Sequence, residues 1–205
     1  MVRQLAVSGI SFGRNVWGII TRPYETYRRI VEHGTYWELV YVGMSLFLYF
    51  VVASIVKTSL FRPYLLTRQF VVLSSAAGLT FFVVVFLFRC IGDVFGAKGS
   101  FKGLALGWGY SLLPTAAWFW MTSLLYVLIP PPRTTSVPGM IFSVLYLIIS
   151  ATLLFWKVTL SYLALRFGLR LDLGKILLVC LVVLPILGLY SIGMYRMGIF
   201  RIPFI

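Results

Sequence analysis

The chain has 205 residues, of which 60% are hydrophobic and 11% are charged, and its formal net charge is +13. This composition excludes an ordinary soluble domain. The basic residues form no single run or stripe but lie at the ends of hydrophobic blocks, where anionic lipid head groups attract each of them by about 1 kcal/mol. We therefore expect a lipid bilayer with anionic head groups as the partner, and no nucleic acid.

Residues 1–37 are predicted to form a cytoplasmic or interfacial segment that precedes the membrane. Thr21 and Pro23 are typical of a helix start, and Gly34 of its end. Between them the apolar and the charged residues occupy opposite faces at helical spacing. The apolar face holds Tyr24, Tyr27, Ile30 and Val31, and the charged face holds Glu25, Arg28, Arg29 and Glu32. The pattern predicts a short amphipathic helix in the head-group layer, with a partner-docking helix as the alternative.

Residues 38–195 are predicted to form one membrane domain of five transmembrane helices. A helix needs roughly 20 apolar residues to cross the hydrocarbon layer. Four blocks have about that length unaided, and the fourth block in chain order reaches it only across Lys157. The predicted spans are 39–56, 70–91, 104–129, 140–165 and 176–195, followed by a short outer tail over 196–205. The fold class is thus an all-α integral membrane protein with five spans, preceded by the interfacial helix.

The distribution of Lys and Arg predicts how the chain is oriented. With five spans, eleven basic residues lie on the side of the N-terminus and six on the opposite side. Because basic residues accumulate on the cytoplasmic side, we expect a cytoplasmic N-terminus and an outer C-terminus. The expected location is a bacterial cytoplasmic membrane, with a eukaryotic endomembrane as the alternative.

Two charged positions near or within the spans are candidates for chemistry. Arg89 and Asp93 are four residues apart at the inner end of the second span, a spacing that predicts an ion pair. The alternative for Asp93 is a proton- or ion-linked carboxylate. Lys157 is the deepest charge of the sequence. It is expected to snorkel towards the cytoplasm, to pair with Asp93 or Asp172, or to bind a substrate phosphate.

The third span is predicted to be interrupted at Pro114. Proline removes a helical hydrogen bond and frees the carbonyl group of Tyr110, four residues earlier. Together with Gly107, Gly109 and Ser111, this proline predicts a kinked and closely packed region. In the second span, the small-residue run 74–78 predicts close approach of another helix.

Catalysis or metal binding would require combinations of side chains that the sequence does not supply. Ser111 lies in a Gly-Tyr-Ser sequence typical of intramembrane serine proteases, but no span contains a histidine to activate it. The single histidine, His33, has no neighbouring ligand, and Cys90 and Cys180 are expected to pack as small apolar residues. We therefore expect no enzyme activity, no cofactor and no metal.

The connection between the second and third spans resembles a known family. The sequence FGAKGSFKG at 95–103, followed by GYSLLP at 109–114, is similar to the YIP (Ypt/Rab-interacting protein) family. Weaker similarity extends over roughly residues 20–195. The resemblance implies five membrane helices with a cytoplasmic N-terminus. Eukaryotic members are implicated in vesicle trafficking and contact small GTPases through a long N-terminal region, which this chain lacks, so GTPase binding is not carried over. Some bacterial members accompany ABC-type exporters.

Two classes of function are consistent with these observations. The first is a non-enzymatic membrane adaptor or accessory subunit of a transport or trafficking system. The second is a small lipid or solute transporter with a cavity near the kinked third helix, lined by Lys157, Asp93 and Pro114. In either case residues 89–114 are the predicted functional surface. The candidate residues are Arg89, Asp93, Gly96, Lys98, Gly99, Lys102, Tyr110 and Pro114, together with Lys157.

Overall fold

The computed structural model describes residues 2–57, 63–128 and 136–199, which form helices without any strand. The helices within these ranges are α1 (Val2–Thr21), α2 (Pro23–His33), α3 (Tyr36–Lys57), α4 (Pro63–Val94), α5 (Phe101–Tyr110), α6 (Leu113–Leu128), α7 (Val137–Leu169) and α8 (Leu173–Arg196). The predicted all-α fold is therefore confirmed. Of the predicted outer tail over 196–205, the residues after Ile199 lie outside the described residues.

Three helices are long and apolar enough to cross a membrane, as judged from the described residues. They are the part of α4 over Phe70–Val94, the whole of α7 and the whole of α8. These correspond to the predicted second, fourth and fifth spans, and they identify an integral membrane protein. The first predicted span falls in α3, where the apolar stretch Tyr36–Val52 is shorter.

The third predicted span is divided into two helices. Helix α5 ends at Tyr110 and α6 begins at Leu113, so the predicted interruption is present. The cause is Pro114, which has no N–H group to donate to the Tyr110 carbonyl. Proline is tolerated at the start of a helix, because the first N–H groups there have no helical acceptor. The chain accordingly restarts as α6 just before this proline.

The N-terminal segment differs from the prediction in two respects. Residues 2–21 form a helix, α1, that the sequence pattern did not predict. Helix α2 has nearly the predicted bounds, but Tyr27 and Ile30 are fully buried within the protein. These two residues therefore pack against other helices of the chain, whereas Tyr24 on the same face is exposed. The lipid contact of α2 stays a prediction. Helical periodicity identifies which face is apolar but not what covers that face.

Helix α5 lies at the centre of the described structure. Its residues Gly103–Tyr110 are all buried, and α2, α3, α4 and α7 pack around it. The backbones of α5 and α7 approach closely, because a Cβ atom added to Gly107 would lie 3.2 Å from the Ala164 Cα. This contact allows a short helix to form the core of a membrane protein.

Helices α4 and α8 meet beside this core. The Thr80 and Tyr190 hydroxyl groups share a hydrogen bond of 2.9 Å, and Ala76 packs in a small cluster with Met194. The predicted small-residue run 74–78 thus contacts α8 through Ala76. Gly78 has open space around it, since nothing lies within 4 Å of a Cβ atom placed there.

Candidate functional site

The connection between α4 and α5 is fixed to the end of α4 by an arginine. The Arg89 guanidinium forms an ion pair with Asp93 at 2.9 Å and also donates a hydrogen bond to the Gly99 carbonyl oxygen. The predicted Arg89–Asp93 pair is therefore confirmed. Arg89 links the helix end to the far side of the connection, so the pair does more than close the last turn of α4.

The same connection is bound by its backbone to the end of α7. The backbone N–H groups of Lys98 and Gly99 both donate to the Leu169 carbonyl oxygen, at 3.1 Å each. A Cβ atom on Gly99 would lie 1.7 Å from the Gly168 carbonyl oxygen, and one on Gly168 would lie 2.8 Å from the Leu104 Cα. The glycine-rich motif therefore provides close contact between three backbone segments of this chain.

Gly96 has a different role from Gly99. Its φ angle is +81°, which a residue with a side chain rarely adopts. It lies in the turn after α4, where its exposed backbone faces the end of Lys175 at the start of α8. Gly96 thus permits the turn, whereas Gly99 permits the packing.

Basic residues lie in this connection and in the neighbouring ends of α5, α7 and α8. Lys98 is exposed, and the Lys102 ammonium lies 6.0 Å from the centre of the Tyr36 ring. We define the basic end surface by its five members, which are Lys98, Lys102, Arg166, Arg170 and Lys175. Of the two acidic residues nearby, Asp93 is already paired with Arg89, and Asp172 is exposed. The basic end surface therefore carries a net positive charge.

Lys157 lies away from the basic end surface. Its ammonium group donates a hydrogen bond of 3.0 Å to the Thr115 hydroxyl on α6, and no ion pair among the described residues joins it to Asp93 or Asp172. Of the three alternatives for Lys157, the structure thus does not show the ion pair with Asp93 or Asp172. Twelve residues of α7 separate Lys157 from Leu169, which is about 18 Å along a helix. The bond to Thr115 instead joins α7 to the first turn of α6.

A buried polar cluster at the other end of α5 was not predicted. The Tyr110 hydroxyl donates to Glu38 Oε2 at 2.6 Å, and Asn15 Nδ2 donates to the same oxygen at 2.9 Å. The Thr35 N–H donates to Glu38 Oε1 at 3.2 Å, and Arg29 donates to Asn15 Oδ1 at 2.8 Å. The cluster consists of Asn15, Arg29, Glu38 and Tyr110, one residue each from α1, α2, α3 and α5.

Hydrogen bonding compensates for the burial of the carboxylate in this cluster. Glu38 is only 3% exposed, and a buried charge is tolerated when donors and an opposite charge surround it. Three donors reach Glu38, and the Arg29 guanidinium is connected to it through Asn15. The cluster therefore holds the three N-terminal helices against the last residue of α5, directly before the break in the chain.

Tyr27 lies near the cluster, and its hydroxyl remains protonated. Burial and the proximity of Tyr110 raise the pKa of Tyr27 well above its usual range. The Tyr27 hydroxyl and the Arg29 Nε are buried without a hydrogen-bond partner among the described residues. These two groups are polar atoms on the buried side of α2.

One local signal in the sequence identifies part of the buried polar cluster. Thr35 and Glu38 have the spacing of a capping box. In this motif the side chain of the third helical residue accepts a hydrogen bond from the backbone N–H group of the residue that precedes the helix. That signal locates Glu38 at the start of α3. Asn15 has no comparable signal. Tyr110 was a member of the predicted functional surface, with a freed backbone carbonyl, but no role was predicted for its hydroxyl.

The described residues offer no grouping of side chains suited to a metal ion. Within them, no three His, Cys, Asp or Glu side chains come together as metal ligands. Ser111 is fully buried, and its hydroxyl donates to the Trp108 carbonyl oxygen at 2.7 Å. What the arrangement supplies is a rigid, positively charged surface and a buried polar cluster, joined by the short helix α5.

The chain matches the profile of a known protein family. The sequence profile of the Yip1 domain matches residues 17–195, which is most of the chain. The match includes α2–α8 and the last turns of α1. No curated protein and no solved structure matches the chain significantly.

Proposed function

The chain belongs to the Yip1 domain family, and on that premise we propose that it is a non-enzymatic membrane adaptor or accessory subunit. In this proposal the basic end surface docks an acidic segment of a membrane protein partner, such as an ABC-type exporter. The observation that carries the proposal is the rigid attachment of the 95–100 connection to α4 and α7. The charged side chains are displayed from a backbone that is already fixed.

Rigidity supports docking because binding then costs little conformational entropy. The Lys98 and Gly99 N–H groups are held by Leu169, and Arg89 holds the Gly99 carbonyl. A purely structural connection would satisfy its backbone in the same way, but it would not need to collect lysines and arginines from three neighbouring elements. Charge complementarity chiefly raises the association rate and the specificity of docking.

The alternative of a small transporter receives less support from the geometry. The proposed cavity required Lys157, Asp93 and Pro114 to line one space. Asp93 lies at the end of α4 beside the connection, whereas Lys157 is about 18 Å along α7 from Leu169, which accepts from that connection. Lys157 lies near Pro114, since it donates to the adjacent Thr115, but Asp93 does not converge with them. The adaptor therefore remains our proposal.

The docking proposal is tested by reversing charge at two exposed positions. We expect Lys98→Glu combined with Lys175→Glu to reduce capture of the partner several-fold in affinity purification from mild detergent. Because exposed substitutions change stability by about 0.5 kcal/mol or less, the abundance of the variant should be unchanged. Capture by the unmodified protein should also decrease as salt increases. The control is Arg196→Glu, an exposed basic residue in the last turn of α8. Equal capture by both variants would contradict the proposal.

We further propose five spans with a cytoplasmic N-terminus and an outer C-terminus in a bacterial cytoplasmic membrane. In this arrangement α3 is the first span, and α5 and α6 together form the third. We expect an impermeant thiol reagent, applied to intact cells, to label Val137→Cys but not Glu25→Cys. Both positions are exposed in the structure, and the native Cys90 and Cys180 are replaced beforehand. Labelling of position 25 but not position 137 would show the opposite topology and contradict the proposal.

A further inference from the structure

Helix α1 has an apolar face that no other part of the described chain covers. One side of the helix packs inward, with Ile19 and Asn15 buried. The other side carries a stripe of exposed apolar residues at helical spacing. The members of this stripe are Val7 at 58%, Ile10 at 76%, Trp17 at 69% and Ile20 at 57% exposure.

The contacts of α1 show that it crosses the beginning of α3. The Tyr41 hydroxyl donates to the Leu5 carbonyl at 2.7 Å, and Asn15 reaches Glu38 at 2.9 Å. Ten residues of α1, about 15 Å of helix, thus contact a segment of α3 that rises only about 5 Å between residues 38 and 41. Helix α1 therefore lies across the end of α3 and does not run beside it.

We propose that α1 lies on the surface of the bilayer, with its exposed stripe inserted at the boundary between the head groups and the acyl chains of an anionic leaflet. In the first turns of α3, which α1 crosses, the apolar side chains of Val40 and Met44 are also exposed. Trp17 is the residue type that concentrates at such boundaries. A helix that crosses the start of a membrane-directed helix lies at the depth that an interfacial helix needs.

The charge of α1 favours lipid over a second copy of the chain. Arg14 is exposed and lies on the same stripe, four residues after Ile10 and three before Trp17. Helix α1 contains no acidic residue, so pairing of two α1 stripes would place one Arg14 against another without a counter-ion. At a bilayer surface the arginine instead extends to lipid phosphates while its stem stays in the apolar layer.

This inference assigns an interfacial role to α1, a helix that the sequence pattern did not predict. It is independent of the docking proposal, because it concerns lipid and a different face of the molecule. The inner side of α1 also carries Asn15 into the buried polar cluster. The helix that contacts lipid is thereby connected to the residue at which α5 ends.

The test measures the depth of α1 in the full-length protein. Ile10→Cys and, separately, Trp17→Cys are labelled with an environment-sensitive fluorophore after replacement of Cys90 and Cys180. The proteins are reconstituted in vesicles of phosphatidylcholine with phosphatidylglycerol. We expect a shallow lipid-attached nitroxide to quench both labels several-fold more than a nitroxide at the acyl-chain end does. Glu25→Cys, exposed on α2, is the control and should be quenched mainly by aqueous iodide.

The charge component is tested with Arg14→Glu. This variant should lose part of the shallow quenching in vesicles that contain phosphatidylglycerol and should match the unmodified protein in pure phosphatidylcholine. Iodide access to position 10 equal to that at position 25 would overturn the proposal. Stronger quenching by the deep nitroxide, or a disulfide between two Ile10→Cys chains in the vesicle, would also overturn it, in favour of a span or of a second copy respectively.

Discussion

Gly99→Ala is expected to remove most of the folded protein from the membrane. The added Cβ atom would lie 1.7 Å from the Gly168 carbonyl oxygen and 2.8 Å from the Leu169 Cα. Both are backbone atoms, which cannot move aside as a flexible side chain can. Overpacking of a core typically costs about 1–3 kcal/mol, and we expect this substitution to exceed that range. Separation of the two segments would also weaken the hydrogen bonds from Lys98 and Gly99 to Leu169.

The matched control for Gly99→Ala is Gly78→Ala. Gly78 lies inside α4 with nothing within 4 Å of an added Cβ atom. Replacement of an uncrowded helical glycine by alanine stabilises a helix by about 0.5–1 kcal/mol. Abundance in the membrane and the melting temperature in detergent, measured by size-exclusion chromatography, should fall sharply for Gly99→Ala only. Equal melting temperatures would show that the connection can move away from α7.

Sequence reasoning succeeded where the determinant is local. Four of the five blocks are apolar over about the length that a span requires, and α4, α7 and α8 match three of the five predicted spans. The break before Pro114 and the Arg89–Asp93 pair were also predictable, because each depends on residues within four positions of one another. In these cases helix geometry alone determines which groups meet.

The buried polar cluster could not be predicted, because its members are far apart in sequence. Asn15 and Tyr110 are separated by 95 positions, yet the Asn15 amide lies 3.3 Å from the Tyr110 hydroxyl. The neighbours that cover part of α2 could not be predicted for a related reason. Its apolar face is genuine, but α5 and α7 compete with lipid for that face, and their positions are not encoded locally.

The role of the glycine motif was predictable only in part. Its sequence indicated that a backbone must approach something closely. The structure identifies one neighbour as the Gly168 backbone, so Gly99 contacts this chain. The predicted functional surface over residues 89–114 remains a prediction. Packing explains Gly99, and the turn explains Gly96. If this surface docks a partner, the basic side chains are the groups that bind it.

Glu38→Ala is the second substitution for which we expect a large effect. It would leave the Tyr110 hydroxyl and the Asn15 amide without their buried acceptor, and Arg29 without a nearby negative charge. Removal of one partner from a buried charged group costs about 3–5 kcal/mol. Glu38→Gln should cost less, because the amide oxygen still accepts hydrogen bonds. Melting temperature in detergent measures both variants, and an unchanged value for Glu38→Ala would mean that water replaces the carboxylate without penalty.

Tyr110→Phe determines whether the cluster acts as a unit. The substitution removes only the hydroxyl that donates to Glu38 at 2.6 Å, and hydrogen bonds to charged groups contribute about 1.5–3 kcal/mol. The matched control is Tyr190→Phe, which removes a hydroxyl bonded to the neutral Thr80 hydroxyl at 2.9 Å and should cost about 1 kcal/mol. Because Glu38→Gln weakens the same acceptor, the two changes should be less than additive in the double variant Glu38→Gln with Tyr110→Phe. Additive losses, or equal losses for the two tyrosines, would show that the carboxylate is held mainly by Asn15 and the Thr35 N–H.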